Sequence, residues 1–110
     1  MKERPEREVT IDGEDGRPLA TARITVVDAS TAWACLHVEP GHVPCGTRSR
    51  LVDAVLDLPE VAACRHLRVA LPIGDTEILE RMRARCNCTA ARATGSTCFV
   101  EADILTSSRR

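Results

Sequence analysis

The groups that could do chemistry crowd into one short stretch: His37, Glu39, His42, Cys45, Thr47, Arg48, Ser49 and Arg50. They surround Pro40-Gly41-His42-Val43-Pro44-Cys45-Gly46, which holds too many prolines and glycines to be helix or strand. A loop that leaves a strand and enters a helix past a glycine points several backbone N–H groups at one spot. That spot lies at the positive end of the helix dipole, and it binds phosphate or carboxylate. Gly46 would let a ligand approach the backbone, Thr47 and Ser49 add hydroxyl donors, and Arg48 and Arg50 add positive charge. An ordinary strand-to-helix loop with a proline turn and a cap accounts for the same residues, and the local sequence leaves both readings open. His37, His42 and Cys45 with Cys86-x-Cys88 form a further set of metal-ligating types. Structural zinc sites use paired Cys-x2–4-Cys knuckles, which are missing, so no metal is assigned.

The elements that must position these groups follow from periodicity. Glu8–Asp12 and Leu19–Val27 alternate or carry β-branched residues around a turn at 13–18, which predicts a hairpin. A third strand is predicted over Ala32–Glu39, with Ala34, Leu36 and Val38 on one face and Trp33, Cys35, His37 and Glu39 on the other. A helix is expected from Thr47 or Ser49, either of which can cap it, to about Leu58, where Pro59 stops it. Leu51, Val52, Val55, Leu56 and Leu58 form its apolar stripe, with Asp53 and Asp57 toward water. Leu67–Leu71 has the short apolar pattern of a buried parallel strand. Asp75 is placed to cap a second helix through Arg85 that buries Ile78, Leu79, Met82 and Cys86 and pairs Glu77 with Arg81. Strands over Ala90–Thr94 and Cys98–Leu105 complete the order β-β-β-α-β-α-β-β, an α/β fold with a mixed, mainly antiparallel sheet. The crossover in the middle requires one parallel pair. One domain over 1–110 is expected, with 1–7 and 106–110 as flexible tails.

Composition narrows the function classes. With one Trp, one Phe and no Tyr, the chain lacks the stacking platforms of single-stranded nucleic acid binders, and its net charge of −1 gives no pull toward DNA, so no nucleic-acid partner is expected. Lys2 stands alone against fourteen arginines, as a GC-rich bacterial genome would produce. The charged start, Met1 to Glu8, and the absence of a long apolar run predict a cytoplasmic protein without membrane contact. In that compartment the six cysteines are expected as free thiols, with Cys35, Cys64 and Cys98 as small buried hydrophobes. Cys86 and Cys88 are the pair whose closeness fits redox sensitivity.

The stretch from Leu36 through Val52 resembles the acetyl-CoA-binding segment of the GNAT acetyltransferase superfamily. There an apolar-x-Val-x-Pro strand end, here Leu36-x-Val38-x-Pro40, leads to a Gln/Arg-x-x-Gly-x-Gly/Ala loop and a helix with an early Leu, here Leu51. Gly46 matches the first signature glycine, Val43 takes the Gln/Arg position, and Arg48 takes the second Gly/Ala position. The element order also resembles that family's C-terminal two-thirds, without its N-terminal strand and helices. The resemblance implies a GNAT-like core and an acetyl-CoA cofactor held by Val38, Val43, Cys45, Gly46, Thr47, Arg48 and Ser49. Arg48 would pair with a phosphate directly.

Acetyl transfer to an amine would need a proton acceptor, and Glu39 and His37, at the strand end before the loop, are the candidates. A solvated strand end is the plain alternative for both. The family's tyrosine acid has no counterpart; Cys86, Cys88 or Cys98 could stand in. A second expectation is a catalytically inactive GNAT-like homodimeric module, for interaction or ligand sensing, joined through an exposed sheet face that the missing elements leave bare.

Overall fold

A computed structural model describes residues 6–39 and 43–104. Its elements are β1 (Glu6–Asp12), β2 (Pro18–Val26), β3 (Thr31–Val38), α1 (Thr47–Leu56), α2 (Pro59–Ala62), β4 (His66–Pro72), α3 (Thr76–Arg85), β5 (Cys86–Thr94) and β6 (Thr97–Ile104). They build one six-stranded sheet in the order β1-β2-β3-β4-β6-β5. The expected α/β class, the N-terminal hairpin and the single parallel pair, β3 with β4, are all present; every other pairing is antiparallel.

Three local expectations change. Pro59 does not end α1; it opens the short α2 at its first position, where a missing N–H costs nothing. β5 starts at Cys86, directly after α3, so Cys86 is a strand residue whose side chain is buried on the helix-facing side. β1 takes in Glu6 and Arg7, which therefore do not belong to a tail, while residues 1–5 and the expected tail at 106–110 lie outside the described residues.

One face of the sheet is apolar and covered. Ile11, Ala20, Ala22, Ile24, Ala32, Ala34, Leu36, Leu67, Val69, Leu71, Val100 and Ala102 alternate along their strands and are buried. Leu51, Val52, Val55, Leu56, Val61, Ile78 and Met82 of the helices complete this core. α1 lies over β1 and β2 and packs on α3, which leans on β5. The other face exposes Glu8, Arg23, Cys35, His37, Arg68 and Glu101. The only two aromatic residues, Trp33 and Phe99, also lie there, with ring centroids 6.0 Å apart. Among the described residues, no helix is long and apolar enough to cross a membrane.

α1 and α3 are joined by ion pairs that local spacing did not announce. Asp53 takes Arg81 through two bonds, 2.8 and 3.0 Å, and Arg85 at 2.9 Å; Arg85 also reaches Asp57 at 3.2 Å. Asp53 is thus not a water-facing residue, and Arg81 crosses to the other helix instead of pairing with Glu77. The Arg81 hydrogen bonds, helped by Arg85, outweigh partial burial and hold the Asp53 carboxyl below its ordinary range. Its contribution to stability is therefore complete above the unfolded-chain value, about 4, and is lost as pH falls through the lower folded value. Asp53→Asn should flatten that limb: its urea midpoint should change less than the wild-type midpoint between pH 5 and pH 3.

Candidate functional site

β3 and β4 run parallel, and their ladder joins Thr31–Cys35 to His66–Ala70 only. β3 continues to Val38 and β4 to Pro72, so the two strands part at their carboxyl ends. In open α/β sheets ligands settle at the carboxyl ends of parallel strands. The loop into α1 starts from this opening, although Pro40, Gly41 and His42 lie outside the described residues.

Gly46 is the N-cap of α1, in the left-handed region at φ 90°. A side chain there would be strained by the backbone itself, and among the described residues a Cβ would meet no atom within 4 Å. Among the described residues, nothing fills the space beside Gly46. Thr47 and Ser49 do not cap the helix; they sit in its first turn, with Thr47 buried. Val38 and Val43 are half-buried and Cys45 is exposed.

The first turn of α1 already holds an oxyanion. The Ser49 amide and hydroxyl both donate to Glu77 Oε2, at 3.2 and 3.1 Å. Arg48 Nε donates to Asp75 Oδ2 at 2.8 Å, while Asp75 Oδ1 accepts from the Ile78 amide and caps α3 as expected. Two shallow depressions flank this contact. One, about 430 Å³, is lined by Arg48, Pro72, Ile73, Gly74, Asp75, Thr76 and Glu77. The other, about 560 Å³, shares Thr76 and Glu77 and is otherwise lined by Ser49, Glu80, Arg81 and Ala84. The Glu77 carboxylate thus takes both donors that Ser49 presents in this turn.

Of the expected site residues, the structure brings Gly46, Thr47, Arg48 and Ser49 together at the head of α1. His37 and Glu39 are exposed at the end of β3, 3.5 Å apart, with His37 on the helix-free face. Cys86 and Cys88 lie at the far end of the sheet, near Ile104 and Ala102. Burial pushes the Cys86 thiol up to about 11 and raises that of Cys88 as well, which disfavours the thiolate that redox sensitivity needs. Cys98 pairs with Leu71 beside the strand opening, so it is the one of the three proposed acid thiols near the site. Cys64 is buried and Cys98 half-buried, as small hydrophobes should be, but Cys35 is exposed. Among the described residues, no three metal-ligating side chains gather; His42 lies outside them.

Asp75 and Glu77 are the site residues that sequence reasoning did not assign to the loop. A signal existed one turn further along: Asp53 and Asp57 share the i,i+4 spacing of Arg81 and Arg85. Two matching stripes of opposite charge imply that α1 and α3 face each other, which brings the α3 N-terminal acids to the head of α1.

No family model matches the sequence, and no curated protein does. Solved structures do. A candidate acetyltransferase from Sphaerobacter thermophilus superposes with a TM-score of 0.69 at 14% identity, over 93% of this chain and 66% of its own. A candidate acetyltransferase from Salmonella typhimurium, solved with its cofactor acetyl-CoA, gives 0.61 at 12% identity, over 87% and 62%. A GNAT superfamily phosphinothricin acetyltransferase from Sinorhizobium meliloti, in complex with acetyl-CoA, gives 0.61 at 12%, over 88% and 60%. The chain spans about two thirds of the length of these structures. Its fold is that of the GNAT acetyltransferases.

Proposed function

We propose that this chain is an acyl-CoA-binding protein of the GNAT type that holds the coenzyme A diphosphate at the head of α1. The observation that carries this reading is the oxyanion already seated on the Ser49 amide and hydroxyl, beside the space at Gly46 that no described residue fills and the parting of β3 and β4. Two of the structures that share the fold were solved with acetyl-CoA. Gly46 and Ser49 would hold the diphosphate through backbone and hydroxyl donors, on a turn that Thr47, buried and with its amide on the Pro44 carbonyl, would brace; Val38, Val43 and Cys45 would line the approach, with Arg48 adding charge. A bound acyl-CoA supplies a thioester carbon open to attack by an amine. In an N-acetyltransferase of this kind, Glu39 and His37 are the groups that would take the amine proton.

Acetyl-CoA at about a hundred times its dissociation constant should raise the melting temperature by about 10 °C, from about 2.7 kcal/mol of linkage. Gly46→Val should abolish the shift. No shift with acetyl-CoA or free coenzyme A at millimolar concentration would sink the reading.

A second reading, a catalytically inactive homodimeric module, draws on a different observation: both aromatic side chains of the chain stack on the helix-free sheet face. Sedimentation of the same sample separates the two, because this reading requires a stable dimer that Trp33→Glu dissociates and no response to acetyl-CoA.

A further inference from the structure

We propose that Glu77 is a built-in competitor for the diphosphate site, so that an acyl-CoA must displace it to bind. The proposal rests on the acyl-CoA reading above and adds what controls it. A backbone amide has one hydrogen to give. The Ser49 amide gives it to Glu77 Oε2, and the Ser49 hydroxyl donates to the same oxygen. A phosphate oxygen can take these donors only after the carboxylate has left. The neighbouring positive group is engaged in the same way, since Arg48 Nε is bonded to Asp75, whose side chain is only 7% exposed.

The two acids differ in what they can give up. Asp75 is pinned by its second oxygen to the Ile78 amide, inside the first turn of α3. Glu77 has a longer side chain, uses one oxygen for both its contacts, and borders both depressions. It can swing into either depression without unfolding a helix turn, so Glu77 is the movable member. The other charged groups at the site, Glu80 and Arg81, line the second depression, and Arg81 is held by Asp53. When a binding-competent state is populated only in part, the apparent affinity falls by that fraction. A charge-assisted contact that is seated about nine-tenths of the time therefore weakens ligand binding about tenfold.

Isothermal titration of the full chain with acetyl-CoA, and separately with inorganic pyrophosphate, tests this. Glu77→Gln keeps the side-chain length and removes the charge, and should tighten both ligands about tenfold. Glu80→Gln makes the same charge change away from the Ser49 donors, and should alter affinity less than about twofold, since exposed charges are screened. The Ser49 amide resonance should respond to pyrophosphate at about tenfold lower concentration in Glu77→Gln than in wild type. Wild type that binds acetyl-CoA while Glu77→Gln binds no tighter overturns this proposal and leaves the acyl-CoA reading standing. An equal gain from Glu80→Gln also overturns it, because charge and not occupation would then be at work. Failure of both wild type and Glu77→Gln to bind acetyl-CoA overturns the two together.

Discussion

Asp75→Ala should destabilise the chain by about 2–3 kcal/mol and lower the melting temperature by about 10 °C. Two losses add up. The first is the α3 cap: Asp75 Oδ1 accepts from the Ile78 amide, and removing such a cap costs about 0.5–2 kcal/mol. The second is the partner of Arg48, whose side chain is 28% exposed and would lose its 2.8 Å carboxylate contact. A hydrogen bond to a charged group contributes about 1.5–3 kcal/mol, and access to water on the exposed side of Arg48 brings this loss to the low end. Asp75→Asn separates the terms, because Asn caps a helix as well as Asp does. It should cost about 1.5 kcal/mol, from the charged contact alone. Thermal unfolding of the two variants beside wild type measures the difference; equal loss in both would place all of the effect on Arg48.

Much of the fold could be read from the sequence because most of its signals are local. The alternation in Glu8–Asp12, the β-branched run before Val27 and the cap at Asp75 each concern neighbours a few residues apart, and each gave an element of the right type. What was not legible depends on distant partners. That β6 would enter between β4 and β5 follows from packing of the finished sheet and leaves no mark on either strand. Proline at position 59 is compatible with both the end of one helix and the start of another, and only the C-cap at Asp57 decides. Glu77 and Arg81 have the spacing of a helical pair worth about 0.2–0.5 kcal/mol, and each found a better partner 28 residues away. The candidate site shows the same division. Gly46 could be recognised because a glycine between a proline-rich loop and a helix start is a local signal, whereas the acid that fills the site comes from another helix.

Leu51→Ala should cost about 4 kcal/mol, the largest loss among these single substitutions. Leu51 is fully buried at the start of the second turn of α1, two residues after Ser49. The cost of such a truncation depends on whether neighbours can move into the void. Here that movement is limited. α1 lies over β1 and β2, where the helix-facing side of β2 presents Ala20 and Ala22, and β3 beside it presents Ala32 and Ala34. An alanine has no longer rotamer to swing inward, and β2 and β3 are fixed by pairing on both sides. Limited relaxation of this floor puts the expected cost in the upper half of the range for Leu→Ala changes, about 2.7–5 kcal/mol. Leu51→Met, which nearly conserves volume, should cost less than about 1.5 kcal/mol. Urea midpoints for the two variants check this ordering, and a Leu51→Ala cost below that of Leu51→Met would mean that α1 is not seated on the alanine floor. Loss of this anchor would also release the first turn of α1 from the sheet. Leu51→Ala should therefore weaken the acetyl-CoA response even at temperatures where the chain is still folded, while Leu51→Met should retain it.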